Sequence, residues 1–439
     1  MMEEYLRLLL EQVRCKKAHA LIEDEIRAHM EDQIEDNIAN GMQKEMAEMA
    51  AVRDMGDPVE TGISLDRVHR PAMAWDMIFF MAIISIVGIV IHSLIGDAGA
   101  GSNQFMRYTV VGFVVMLIVY RVDYSFMARH AKCIGTIFLT FLFCSVWAFG
   151  MMVNGNMTAV HIAEFRVNYF CWMMLYVPIY GAILYQYHGT GKQGILKSLV
   201  WMMIPVIFAL RLPNLVLAEI LFVSMSVLLS IAVYKGWFQV SKKKFFFLFW
   251  GSAIVLPIIL LILSVAFHWL TAYQEARLLA ILRTKGENYI TNILKASFGS
   301  SFLAGGNSAD LIKRLPNFNN DYIFGYLISS YGILAGIAVG VVLSFIVIRC
   351  FHISFKQKNQ LGMMMGCGCS MVFFVNIALN ILENIGLFPI TQTFLPFFSA
   401  GGSCIITSYI LMGTILSIYR YKNILPIHIS KLSRQENAL

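Results

Sequence analysis

An all-α fold, with about ten membrane-spanning helices behind a small helical domain, is predicted by three observations. The 439-residue chain is 58% hydrophobic and only 14% charged, with a mean hydropathy of +0.66. That balance excludes an ordinary water-soluble globule. The apolar residues collect into ten segments, at about 77–95, 106–121, 133–153, 168–187, 196–211, 214–234, 245–268, 321–349, 363–384 and 401–419. Most approach the roughly 20 residues that a helix needs to cross a bilayer. Lysine and arginine concentrate in alternate connections, as in a chain threaded back and forth through a membrane.

Ahead of the first span, residues 1–72 read as a cytoplasmic helical domain. Residues 1–75 hold 16 acids and 9 bases, whereas the remainder holds 11 acids and 25 bases. The formal net charge of +7 therefore describes neither part, and the basic remainder calls for no nucleic acid. Leu6, Leu9, Leu10 and Val13 recur at helical spacing, as do Ile22, Ile26, Met30 and Ile34. Gly41 is placed to end the second helix, and Gly56-Asp57-Pro58 to end a third that starts near Gln43. Met1 to Gln12 form an acidic amphipathic pattern rather than a secretory signal, so the first membrane helix is expected to act as an uncleaved insertion signal.

The membrane domain is expected over 73–425, with 426–439 as a cytoplasmic tail. Arg121, Arg129 and Lys132, then Lys192 and Lys197, Lys235 and Lys242 to Lys244, Arg349, Lys356 and Lys358, and Arg420, Lys422, Lys431 and Arg434 fall on one side. The short turns opposite carry only Arg107, Arg166 and Arg211. This asymmetry places both termini in the cytoplasm. One outside connection is long, about 269–320. It holds six of the nine outward basic residues and runs into an acid, Asp321. The fifth segment is the weakest: its apolar run from Leu196 to Leu210 is short, Pro205 interrupts it, and it turns into the sixth at Arg211-Leu212-Pro213.

Few residues inside the segments invite chemistry. The cysteines are scattered, and Cys367 and Cys369 are too close together for an ordinary disulfide; all eight read as small packing residues. Glu219 and Glu383 are acids near the outer ends of apolar helices, expected to reach the interface or to serve function. Helices without charge pairs along their length argue against a transporter.

Two stretches carry a family resemblance. Leu315-Pro316…Asp321-Tyr322-Ile323-Phe324 and Gly386-Leu387-Phe388-Pro389…Leu395-Pro396-Phe397-Phe398-Ser399-Ala400-Gly401-Gly402-Ser403 resemble signatures of the shape, elongation, division and sporulation (SEDS) proteins, the RodA, FtsW and SpoVE relatives. Gln104 to Arg107, Gly112, Asp123-Tyr124, Leu212-Pro213-Asn214 and Tyr273 to Arg277 are fainter echoes. In front, Glu11 to Lys17, His29 to Gln33, and Asp54 to Pro71 resemble the helical permease-prefix domain, which implies a regulatory or docking role.

The SEDS resemblance implies a glycosyltransferase that polymerises lipid-linked disaccharide-pentapeptide at the outer membrane face during division, elongation or sporulation. It implies Asp321 as the catalytic base. The residues alone also allow a plain cap at a helix N-terminus, where the helix dipole would keep the carboxylate ionised. Arg277, Arg283, Lys313 and Arg314 are candidates to hold the substrate pyrophosphate, which a divalent cation (Mg or Mn) could accompany. The loop with Pro396, Ser399, Gly401, Gly402 and Ser403 is expected to fold back beside Asp321, either to help bind substrate or to pack between helices. Phe298-Gly299 and Ala304 to Asn307 offer a candidate backbone cradle. The resemblance also implies a class B penicillin-binding transpeptidase as partner. The chain departs from the family pattern at Asn317, at Ser329-Ser330, and at Val177-Pro178-Ile179-Tyr180, where supporting acids and a lysine are missing. A non-catalytic protein that binds lipid-linked precursor or scaffolds an envelope complex is the alternative.

Overall fold

A computed structural model of the chain describes residues 1–95, 100–153, 156–162, 165–212, 214–267, 289–306, 309–388 and 393–422. Four helices lead: α1 (Met2–Glu11), α2 (Lys16–Ala39), α3 (Lys44–Asp54) and α4 (Pro58–His69). Leu6, Leu9, Val13, Ala18, Ile22 and Met30 bury together into a core of their own. Gly41 adopts φ +94 at the end of α2, the left-handed position glycine tolerates. The fourth helix was not expected. Asp57 caps it by accepting from the Val59 and Glu60 amides, with Pro58 in its first turn; the same triplet that stops α3 therefore starts α4. Asp66, buried in α4, accepts the Arg14 amide at 2.9 Å and so ties α4 to the end of α1.

The spanning helices come next as α5 (Trp75–Leu94), α6 (Ala100–Arg121), α7 (Met127–Phe149), a fourth crossing in two pieces, α8 (Tyr169–Met173) and α9 (Tyr176–Gln186), then α10 (Gly191–Arg211), α11 (Leu215–Tyr234) and α12 (Lys242–Ala266). After them come α13 (Tyr289–Gly299), α14 (Ala309–Lys313), α15 (Phe318–Asp321), α16 (Ile323–Tyr331), α17 (Ile333–Phe355), α18 (Gln360–Asn384) and α19 (Gly402–Arg420). Among the described residues, eight helices are long and apolar enough to cross a membrane. Their outward faces stay apolar: Phe79 is 70% exposed, Trp147 86% and Leu248 73%. In water such a belt would be a liability, whereas hydrocarbon accepts it.

Four expectations need correction. The third segment stops at Phe149, and the chain then forms a small antiparallel sheet of β1 (Gly150–Val153), β2 (Asn156–Ile162) and β3 (Phe165–Asn168), ordered β1-β2-β3. The fifth crossing is a full helix of 21 residues with Pro205 inside it; its first turns are polar, so hydropathy alone underestimates it. The eighth segment is not one helix over 321–349. Gly332, at φ +96, separates α16 from α17, and a Cβ there would lie 2.7 Å from the Gly305 nitrogen. Finally, Cys171 and Cys404 are bridged, with Cα atoms 5.1 Å apart, so not all eight cysteines are packing residues. The 233-residue separation hides that pairing from the sequence.

The centre of the bundle is α9, α11, α18 and α19, whose residues are mostly buried, whereas α7 is largely exposed. The run Gly362 to Ser370 lies in this core, where small residues let backbones meet. A Cβ on Gly181 of α9 would sit 2.8 Å from the Met364 carbonyl oxygen of α18. Cys367 and Cys369 are free and fully buried here, consistent with a packing role.

Candidate active site

The site grows from a polar stripe on an otherwise apolar helix. Asn376, Asn380 and Asn384 recur every fourth residue along α18 and so share one face, with Glu383 beside them. All four are buried. Asn380 Nδ2 donates to the main-chain oxygen of Asp321 at 3.0 Å, and Asn384 Nδ2 to the same oxygen at 3.1 Å. Asn384 Oδ1 accepts the Gly325 amide at 2.9 Å. That amide is one of the first of α16, whose preceding residue, Tyr322, makes no side-chain cap. Another helix thus supplies the missing cap.

The later signature closes the other side. Ala400 N donates to Asn319 O at 3.0 Å, Gly401 N to Asn320 Oδ1 at 3.0 Å, and Ser399 Oγ to the Asn320 carbonyl oxygen. Asn380 Nδ2 also reaches the Thr393 carbonyl at 2.8 Å, and Thr393 Oγ1 donates to Glu383 Oε2 at 3.3 Å. On the far side, the His92 ring bonds the Phe398 carbonyl oxygen at 2.7 Å and stacks on Phe105. Phe397 is held at φ +67 between the rings of Phe373 and Tyr409. A non-glycine residue in that region costs about 1–3 kcal/mol, so the surroundings must over-determine the turn. The expected fold-back of this loop toward Asp321 is therefore what the geometry has.

Asp321 itself is only 5% exposed, and Asn320 Nδ2 donates to its Oδ1 at 2.7 Å. It lies outside the eight helices that could span a membrane. It is the last residue of the four-residue α15 rather than the N-cap of a long helix. The dipole expectation fails accordingly. Burial first, and the neighbouring Glu383 second, push the Asp321 carboxyl up to about 7, against a lowering by Asn320. A carboxyl so placed can take a proton at physiological pH.

The other candidates divide. Pro396 and Ser399 are buried inside the loop, where Ser399 Oγ also accepts the Leu395 amide at 2.7 Å. Ser403 Oγ accepts the Asn168 amide at 3.0 Å, which joins the loop to the start of α8. These three hold the site together rather than line an open surface. Gly401 and Gly402 are half-buried and obligatory for space: a Cβ would stand 2.6 Å from Asn320 Oδ1 at the first and 2.7 Å from the Tyr108 ring at the second. Gly402→Val should lower the melting temperature of the purified protein, at a cost of about 1–3 kcal/mol from overpacking, as a thermal unfolding series would measure.

Lys313 and Arg314 are exposed, Lys313 Nζ lying 6.0 Å from the centre of the Tyr326 ring. No salt bridge joins either to Asp321 among the described residues. Arg277 and Arg283 lie outside the described residues, as do Asn307 and Pro213. The glycine cradle is corrected. Gly305 N donates to Tyr331 O at 2.9 Å, and Gly306 packs on the Ser329 carbonyl, so both support the α16–α17 turn. Glu219 is exposed, as an interfacial acid would be, but Glu383 is 1% exposed and does not reach the surface. Among the described residues no cluster of three or more His, Cys, Asp or Glu could hold a metal ion. Asp321 and Glu383 supply two carboxylates, too few for a dedicated protein cage.

A polytopic bundle that buries two acids, Asp321 and Glu383, beside a glycine-rich loop defines a class of membrane protein, and comparison with known proteins gives its family. Residues 68–424 match the cell cycle protein family FTSW_RODA_SPOVE, and the chain belongs to it. It is 26% identical over 364 residues to the probable peptidoglycan glycosyltransferase FtsW of Wigglesworthia glossinidia brevipalpis, across 77% of this chain and 92% of that protein. Its fold is similar to a chain from a structure described as structural coordination of polymerization and crosslinking by a peptidoglycan synthase complex. There the TM-score is 0.67 at 15% identity, over 80% of this chain and 98% of that one. The rod shape determining protein RodA of Thermus thermophilus is similar at TM-score 0.58 and 15% identity, over the same shares.

Proposed function

We propose that this chain is a peptidoglycan glycosyltransferase that polymerises lipid-linked disaccharide-pentapeptide at the outer face of a bacterial plasma membrane, with both termini cytoplasmic. The observation that carries the reading is Asp321: a buried carboxyl in the family's signature, held by Asn380, Asn384 and the 393–401 loop. In this reading Asp321 takes the proton from the attacking sugar hydroxyl as the new glycosidic bond forms. The bond from the donor sugar to its prenyl diphosphate breaks, and the diphosphate leaves with the electron pair. Lys313 and Arg314, on the same outer segment, and Arg277 would offset its charge. A divalent cation, where present, travels with the diphosphate.

A class B penicillin-binding transpeptidase is the partner that best suits a chain with the fold of a peptidoglycan synthase subunit. Reconstitution of the full chain with such a partner and lipid-linked precursor should yield glycan strands, read by gel or mass spectrometry. Absence of product with every class of partner would favour the precursor-binding scaffold. One observation speaks for that second reading. Ser329, where the family carries acid, spends its hydroxyl on the Gly325 carbonyl at 2.8 Å.

The front helices are proposed as a regulatory or docking domain. Their core closes without help from the bundle, and residues 1–67 fall outside the family match. Deleting 1–70 should leave the membrane domain inserted and monodisperse by size-exclusion chromatography while changing the rate of polymer formation. Loss of all folded protein would contradict their independence.

A further inference from the structure

The seam between the front domain and the bundle holds a cationic cleft that the polymerisation reading does not use. Its volume is about 600 Å3, and its lining includes Arg67, Arg70, Met73, Trp75 and Lys422. Three of its lining residues are cations and none is an acid. The nearest acids in sequence are occupied elsewhere: Asp66 accepts the Arg14 amide, and Asp76 pairs with Arg349. The excess is local, because residues 1–75 as a whole are acidic by seven charges.

The floor of the cleft is fixed. Ala72 N donates to Arg420 O at 2.9 Å, which joins the linker to the last turn of α19. Arg420 lies over the Tyr120 ring at 4.8 Å, and its buried Nε has no protein partner among the described residues. α5 begins at Trp75 and α19 ends at Arg420, so the cleft lies at the ends of two helices long and apolar enough to cross a membrane. Trp75 is 65% exposed and Met73 51%. An exposed indole at a helix end, next to a group of cations, is the arrangement that suits a headgroup above and acyl chain below.

We propose that this cleft binds the phosphate of an anionic lipid from the leaflet facing the front domain. Arg67, Arg70 and Lys422 meet the phosphate, while Trp75 and Met73 lie along the glycerol and upper acyl chain. A free phosphate shares the anionic chemistry, but the apolar half of the cleft and its place at the bilayer rim favour a lipid. The inference is independent of whether the outer site polymerises anything.

The test uses the full chain in detergent micelles doped with lipids carrying brominated acyl chains, which quench nearby tryptophan. The chain has seven tryptophans, so the difference between wild type and Trp75→Phe isolates Trp75. Brominated phosphatidylglycerol should quench Trp75 at a mole fraction at least tenfold lower than brominated phosphatidylcholine. The preference should vanish in the Arg67→Gln/Arg70→Gln/Lys422→Gln protein. Arg67→Gln alone, at an exposed position, should weaken it partially and serves if the triple variant misfolds. Equal quenching by the two lipids overturns the proposal, as does a preference that survives these substitutions. Displacement of phosphatidylglycerol by millimolar inorganic phosphate at constant ionic strength assigns a soluble anion and overturns the lipid.

Discussion

Asp321→Asn should reduce glycan-strand formation by about 10²- to 10⁴-fold in the reconstituted system, the usual worth of a positioned general base. The change is conservative for the fold. Asparagine keeps an oxygen to accept from Asn320 Nδ2, and the two bonds from Asn380 and Asn384 go to the main chain. A melting curve close to wild type together with lost product would therefore isolate the chemistry. Product at the wild-type rate would remove Asp321 from the mechanism. The pH dependence has a definite sign. With the carboxyl pushed up to about 7 by burial and by Glu383, the base form predominates above that value, and the wild-type rate should fall as pH drops through it. Glu383→Gln removes the like charge, so this acid limb should move to lower pH. It should not return to the ordinary carboxylate range, because burial is the larger cause.

Asn384→Ala should be the most damaging substitution that never touches substrate. Its side chain serves the Gly325 amide, the Asp321 carbonyl and the Asn380 carbonyl at once. Truncation strands a buried N–H at the start of α16 and removes a bond that holds Asp321. The expected loss is on the order of 3 kcal/mol of stability, with a fall in activity that exceeds the fall in folded fraction. Asn380→Ala should act in the same direction. The double variant should cost less than the sum, because both residues hold one carbonyl. A thermal unfolding series in detergent, with activity assayed below every transition, would check both statements. Full additivity would mean that the two amides act separately.

Hydropathy encodes some features of this fold and is silent on others. Spanning helices are written as long apolar runs, so α5, α6, α11, α18 and α19 were legible to within a few residues, apart from the earlier start of α6. The break at Gly332 was not, since Ile323 to Tyr331 is as apolar as the helix after it. Gly56-Asp57-Pro58 reads as a stop for α3, which hides α4, although Asp before Pro is also a start signal. In the site, Asp321 and the glycine pair stood out through local motifs. The asparagine stripe of α18 did not, yet three asparagines at every fourth position of an apolar helix are visible in the sequence and costly without partners. The rise in the Asp321 pKa was beyond reach. It comes first from burial and then from Glu383, which lies 62 positions away in the chain, and both arise only when α18 and the later loop pack around the acid.

The latch between Asn320 and the segment Ser399 to Gly401 has a consequence for biosynthesis. Its two halves are separated by 79 to 81 positions, and α18 must cross between them. A chain still emerging from the ribosome, with α16 and α17 already in place, owns the acid but not the enclosure that gives it a useful proton affinity. On the proposed reading, competence would therefore arrive only once the segment Ser399 to Gly401 has been delivered, and a translation product interrupted before it would be inert rather than unregulated.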